Sequence, residues 1–178
     1  MLLALLENNN IANAFSDAAT MHVVWRFVRE DDDRAWQARA IAFLLRGYRS
    51  YQVLGDREEA AWLLQLVDDE AAAPVREELL LRLLSNPQIH DMLIGQGHVA
   101  TLLTFAKGMP DTSRGQVLQS LAASQALGQE LVAKGEADLL ITLVKEEKLA
   151  AARSACLRGV LRNNTAMPQL IQKGHYET

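Results

Sequence analysis

The chain has 178 residues, of which 49% are hydrophobic, and it carries a formal net charge of −4. This length and apolar content suffice for one domain with a substantial core. The acidic balance argues against a nucleic-acid binder that relies on a basic surface. No apolar run approaches the roughly 20 residues of a membrane-spanning helix, so we expect no membrane insertion.

Taken in chain order, the predicted elements begin with a partial repeat at 1–10 and a first full repeat at about 11–50. The full repeat contains a helix over His22–Val28 and a long helix from about Arg34 to Arg49. Between them lies the acidic run Glu30–Asp33, which could suggest a calcium site. A calcium loop, however, spaces its ligands at alternate positions around a glycine. We therefore expect Asp33 to cap the long helix.

Three further repeats follow at about 51–86, 87–124 and 125–163, and a partial repeat occupies 164–178. Their middle helices are predicted at Ala61–Val67, Ala100–Ala106 and Asp138–Val144, because apolar residues recur there at intervals of three and four. The partial repeats have two alternative explanations. Either the chain belongs to a longer repeat protein or larger complex, or the partial repeats themselves cap the array.

The repeats share one period. An apolar residue recurs at Phe15, Leu54, Leu93, Leu131 and Leu170, in steps of 39, 39, 38 and 39. A second column, in the long helices, holds Leu5, Leu44, Leu83, Leu121 and Val160, with the same steps. A constant period of helix pairs is typical of an α-solenoid. The sequence therefore predicts an all-α chain forming a single solenoid over 1–178, with about four repeats of 38–39 residues.

Few residues indicate catalytic chemistry or a bound cofactor or metal. The single cysteine, Cys156, rules out an internal disulfide and favours a reducing compartment such as the cytoplasm. It lies in an apolar column with Ala40, Leu79 and Val117, which predicts a buried structural thiol. The histidines lack metal-ligand spacing. Gly95-Gln96-Gly97 follows no strand, so we expect inter-helix turns with positive φ rather than a phosphate loop.

The outward stripe of the long helices would line the concave face of the stack, where we expect the partner-binding site. Phe43 is the predicted anchor, because an exposed aromatic among arginines is a plausible hot spot; alternatively, it packs beneath the next repeat. The aromatic residues Trp25, Trp36 and Trp62 are predicted to be core. The predicted partner-binding residues are Arg39, Phe43, Arg46, Glu78, Arg82, Gln119, Arg158 and Arg162.

A further column holds Gln37, Arg76, Arg114 and Arg153 at the first turn of each long helix. Three arginines in register could bind an acidic segment. Acidic residues also lie near them in the sequence, so local ion pairs are the favoured interpretation.

The fourth repeat resembles an armadillo repeat. Gly135–Val144 has the form G-x-x-x-L-L-x-x-L-V, and the long helix carries Ala152, Cys156 and Leu157 and ends at Asn163. The resemblance covers nearly the whole chain and implies a right-handed armadillo/HEAT-like solenoid without catalytic activity, which binds a protein or extended peptide on its concave face. The mid-helix asparagine of nuclear-import receptors has no counterpart near Ser120 or Gly159.

A second resemblance concerns the first repeat. Leu6-Glu7-Asn8, Ala14-Phe15 and Met21-His22-Val23 are similar to the opening of the armadillo-type nucleotide-exchange factors of DnaK-class heat-shock chaperones. The leading hypothesis is a non-enzymatic interaction module or scaffold, without cofactor or metal. The alternative is a co-chaperone exchange factor, and an enzyme or nucleic-acid binder is the least favoured class.

Overall fold

A computed structural model describes residues 18–46, 53–54 and 56–175, and its regular elements over these residues are all helical. The all-α prediction is therefore confirmed for this part of the chain. Its α-helices are α1 Ala18–Arg29, α2 Arg34–Leu44, α3 Arg57–Asp68, α4 Arg76–Ser85, α5 Pro87–Gly95, α6 Val99–Gly108, α7 Asp111–Ala123, α8 Gln125–Ala133, α9 Asp138–Glu146, α10 Ala150–Arg162 and α11 Met167–Gln172, and a 3-10 helix occupies Glu70–Ala72. None of these helices combines the length and apolar character that a membrane crossing requires.

Polar caps set several helix starts. The carboxylate of Asp33 accepts a hydrogen bond from the Trp36 backbone N–H at 3.0 Å, so the predicted cap of α2 is confirmed. Asn86 caps α5 in the same way, and Pro87 occupies its first turn, where a missing N–H costs nothing. The predictions for 1–10 and Phe15 lie outside the described residues. The long helix predicted to extend to about Arg49 ends earlier, at Leu44, where Leu45 is its C-cap.

The chain divides between Leu83 and Leu84 into two compact units. In the first unit, the rings of Trp25 and Trp62 meet edge to face, with centroids 5.9 Å apart, and both side chains are buried. The indole N–H of Trp25 donates to the carboxylate of Glu59 at 2.7 Å, which satisfies its buried donor. Trp36 differs from the core prediction: it is half-buried and packs its ring against that of the exposed Phe27.

In the second unit, α7 and α10 pack closely through small residues. A Cβ added at Gly115 would lie 3.3 Å from Cα of Ala152, and one added at Gly159 would lie 2.5 Å from the carbonyl oxygen of Gln119. Residues early in α7 thus face residues early in α10, and late residues face late ones. The two helices therefore run in the same direction, and Gly159 permits their close approach.

The turns after α5, α8 and α11 each contain a glycine with positive φ, at Gly97 (94°), Gly135 (74°) and Gly174 (84°). In the first two, a backbone N–H just beyond the glycine returns to a helix carbonyl: His98 donates to Leu93 and Glu136 to Leu131. The positive φ predicted at Gly97 is confirmed. The prediction for Gly95 is wrong, because that residue is the last of α5.

Candidate binding groove

An open groove of about 1060 Å³ runs along α7 and α10 in the second unit. Residues of α5 border it near Ser124, whose hydroxyl donates to the carboxylate of Asp91. The side chains along its two long walls are small, polar or cationic. They are Gln116, Gln119, Ser120 and Ala123 on α7, and Ala151, Ala155, Arg158 and Arg162 on α10.

Helical spacing explains how α10 both packs and lines the groove. Ala152, Cys156 and Gly159 are separated by intervals of four and three residues and are buried, so they define the buried face of the helix. Residues at Ala151 and Arg158 lie on a different face and are exposed. The same helix therefore supplies a buried stripe to the core and a polar stripe to the groove.

The two carboxylates in the groove already have partners. Asp111 forms an ion pair with Arg114 at 3.1 Å, and Asp91 accepts the hydrogen bond from Ser124. Among the described residues, the guanidinium of Arg158 donates one hydrogen bond, to the hydroxyl of Ser154 at 3.0 Å on its own helix. The guanidinium of Arg162 forms no ion pair within the described residues. The wall formed by α10 is therefore cationic and available to an anionic ligand.

His90 lies at the α5 border of the groove and is fully buried. Neither ring nitrogen has a hydrogen-bond partner in the described part of the chain, although Nε2 is 3.5 Å from the Asp91 carboxylate. Burial lowers the pKa of His90, and the negative charge of Asp91 opposes this shift only in part. The enclosed, neutral imidazole acts as a packing group, because neither ring nitrogen is exposed to the groove.

The structure brings three of the predicted partner-binding residues, Gln119, Arg158 and Arg162, into this groove. The sequence pattern did not indicate Asp91, His90 or Ser124 as groove residues. These side chains come from different helices, and only their packing places them together.

The other predicted partner-binding residues belong to the first unit, where two of them bond to each other. Arg46 forms an ion pair with Glu78 at 2.5 Å, and its guanidinium lies 4.9 Å from the ring centroid of Phe43. Phe43 is half-buried, with Arg46 over its ring, and its role as a partner-binding anchor stays a prediction. Arg39 and Arg82 are exposed.

The column of Gln37 and arginines has a common role that differs from the predicted one. Arg76 donates to the backbone carbonyls of Val67 and Asp69, and Arg153 donates to that of Glu147 at 2.8 Å. Arg114 and Gln37 bond preceding carbonyls in the same way. Each side chain thus donates to backbone carbonyls at the end of the preceding helix or in the turn that joins that helix to its own. Arg114 also forms ion pairs with Asp111 and Glu147, as the favoured interpretation proposed.

The thiol of Cys156 is buried, as predicted. Burial, with a smaller contribution from the negative charge of Glu147, raises its pKa to about 11. At neutral pH it is therefore protonated and a poor nucleophile. Among the described residues, no group of three or more His, Cys, Asp or Glu side chains is arranged to hold a metal ion.

Comparison with protein-family models, with curated proteins and with solved structures gives no match to this chain. The armadillo and exchange-factor resemblances therefore stay predictions from the sequence.

Proposed function

We propose that this protein is a non-enzymatic interaction module that binds an extended segment of another protein in the groove along α7 and α10. The groove itself carries the proposal. Its volume of about 1060 Å³ is at the top of the range of ligand-binding clefts, which is roughly 300–1,000 Å³. Its walls present amide, hydroxyl and guanidinium groups, which can bond a peptide backbone and its polar side chains.

The dimensions suit a peptide. Each of α7 and α10 has 13 residues, and a helix of that length is about 20 Å long. An extended chain rises about 3.3 Å per residue, so roughly six residues would fill the groove. Exposed alanines such as Ala151 leave room for the backbone to approach.

We also propose that the described helices belong to an armadillo-type solenoid. Two observations support this: Leu54, Leu93, Leu131 and Leu170, which share the period, are all buried, and so are Ala40, Leu79, Val117 and Cys156. The single cysteine of the chain cannot form an internal disulfide, which suits a reducing compartment, and we propose a cytoplasmic location.

Selection of peptides tests the proposed function. Random dodecapeptides displayed on phage are selected on the folded protein, and the affinities of synthetic copies are measured by fluorescence anisotropy. Ala151→Trp places a large ring in the groove, whereas Ala133→Trp makes the same change at an exposed position of α8 that does not line it.

We expect Ala151→Trp to weaken binding at least tenfold and Ala133→Trp to leave it unchanged. Gln116→Trp is a second groove-filling variant, and circular dichroism reports whether each variant is folded. Equal affinities for the wild type and both folded groove variants would contradict the proposal, as would a selection that yields no peptide.

A further inference from the structure

We infer that the groove selects segments with two acidic side chains at alternate positions, whose carboxylates bind Arg158 and Arg162. This inference rests on the proposed function and adds a ligand chemistry to it.

The two arginines are the cationic side chains of the groove without a carboxylate partner in the described residues. Both are exposed, and they are four residues apart on one face of α10. Other arginines nearby are engaged: Arg114 pairs with Asp111, and Arg153 donates to the Glu147 carbonyl. Arg158 and Arg162 are therefore free to bind ligand carboxylates.

The spacing of the arginines sets the spacing of the ligand's acids. Four residues of α-helix rise about 6 Å. In an extended chain, side chains at i and i+2 point to the same side and are about 6.6 Å apart. Acidic residues at alternate positions therefore match the two guanidiniums, whereas adjacent acids point to opposite sides.

The carboxylates of the groove limit the acidic stretch. Asp111 lies at the first residue of α7, and Asp91 lies near Ser124 at the other end of that helix. Because α7 and α10 run in the same direction, Asp111 lies at the end of the groove away from Arg162, and an acidic run that extended to Asp111 would be repelled. We therefore expect a short motif of two acids rather than a long acidic run.

The same arginines could in principle contact phosphates of RNA. A formal net charge of −4 and only two free arginines in the groove favour a peptide carboxylate. Oligouridine is included in the test as the competing ligand.

The test uses fluorescein-labelled, end-blocked nonapeptides of serine and alanine. One carries two aspartates at alternate central positions, the second carries two adjacent aspartates, and the third carries asparagines at the alternate positions. Anisotropy is measured at about 0.05 M and about 0.2 M salt. The variants are Arg158→Gln with Arg162→Gln, and a charge-matched control, Arg57→Gln with Lys145→Gln, at exposed positions outside the groove.

We expect the wild type to bind the alternate-aspartate peptide about tenfold more tightly than the asparagine peptide, since two partly exposed charge pairs contribute about that factor. The adjacent-aspartate peptide should bind more weakly than the alternate one, because its two carboxylates point to opposite sides; equal binding of the two overturns the inference. Higher salt should reduce the preference. The Arg158 and Arg162 variant should lose it, and the control variant should keep it. Peptides selected from the random library should also be enriched in alternate acids.

Each other outcome overturns the inference. Suppose that peptides bind and that Ala151→Trp blocks their binding. If the wild type then shows no preference for the alternate-aspartate peptide over the asparagine peptide, or if the Arg158 and Arg162 variant keeps that preference, the inference fails and the proposed function stands. If oligouridine binds more tightly and depends on the two arginines, they are phosphate ligands. If neither the nonapeptides nor the library yields a binder, the inference and the proposed function both fail.

Discussion

Gly128 faces the carboxamide of Asn163 so closely that a Cβ at Gly128 would lie 2.2 Å from Oδ1 of Asn163. The same carboxamide donates to the carbonyls of Ala122 and Ser124 and accepts from the backbone N–H of Ala166. Asn163 is fully buried. It therefore joins the end of α7 to the start of α11, and a glycine at 128 provides the space that it occupies.

Gly128→Ala should destabilise the protein. The added methyl group must displace Asn163, which would break buried hydrogen bonds, and we expect a loss of roughly 1–3 kcal/mol in the free energy of unfolding. Urea denaturation measures the change. In an Asn163→Ala background the loss should shrink, because the clashing group is absent.

The control is Gly95→Ala, at the last residue of α5, where an added Cβ would meet no atom within 4 Å. We expect this change to be neutral or slightly stabilising. If both glycine variants lost equal stability, the contact with Asn163 would not explain the effect.

Arg153 and Arg158 give a matched comparison on α10. Arg153→Met removes the donor to the Glu147 carbonyl and should cost about 1–2 kcal/mol of stability. Arg158→Met removes only a contact with Ser154 and should be close to neutral. Thermal unfolding of both variants, side by side, distinguishes them. An equal loss would show that carbonyl capping is not the role of Arg153.

Gly159 controls the distance between the two walls of the groove. A methyl group there would lie 2.5 Å from the Gln119 carbonyl oxygen, which belongs to the backbone and cannot rotate away. Gly159→Ala should therefore separate α7 from α10, reduce stability by roughly 1–3 kcal/mol and weaken peptide binding. Gly108→Ala, at the end of α6, has open space around it and serves as the control. Unchanged stability and affinity for Gly159→Ala would contradict the close packing of these helices.

His90 should make stability depend on pH. Its pKa in the folded protein lies below the ordinary value of 6.5 because of burial. As the pH falls below about 6.5, the unfolded chain binds a proton that the folded protein excludes, so stability is full above this pH and decreases below it. The loss continues until the pH reaches the folded pKa.

Urea midpoints at about pH 7.5 and about pH 5.5 test this effect. His90→Leu should show a smaller decrease between the two pH values than the wild type. His22→Gln, at an exposed position of α1, should keep the wild-type decrease. An unchanged pH dependence in His90→Leu would contradict the account.

The sequence anticipated features that depend on neighbours along the chain. The intervals of three and four predicted the middle helices, because one buried stripe suffices to define an amphipathic helix. Asp33 as a cap and positive φ at Gly97 were predictable because a helix end needs those residue types locally. Burial of Cys156 followed from its apolar column.

Features that depend on contacts across helices were less accessible. The period identified Arg76, Arg114 and Arg153 as equivalent, but it could not distinguish a carboxylate partner from a backbone carbonyl. Nor did it show that Arg46 covers Phe43. The direction in which each side chain points around its helix is uncertain from sequence. The hydrogen bonds of the arginines and the contact of Arg46 with Phe43 depend on that direction. The arginines share a position at the first turn of each long helix, and this was the sequence signal that could have predicted their hydrogen bonds to the carbonyls before that helix.

The residues one period before Gly128 and Asn163 differ from them in size. One period earlier, Gly128 corresponds to His90 and Asn163 to Ser124. A large side chain at the first position thus accompanies a small one at the second, whereas the next repeat reverses the sizes. Because residue size differs in opposite directions in the two columns, neither column alone indicates the close approach of Gly128 to Asn163.

The most direct test of the groove is an NMR titration of the isotope-labelled protein with a peptide selected from the random library. We expect the largest shifts at the side-chain amides of Gln116 and Gln119 and at Nε–H of Arg158, with no shift at Gln129 of α8. Shifts confined to residues outside the groove, with these three unchanged at saturation, would contradict the proposal that an extended segment binds along α7 and α10.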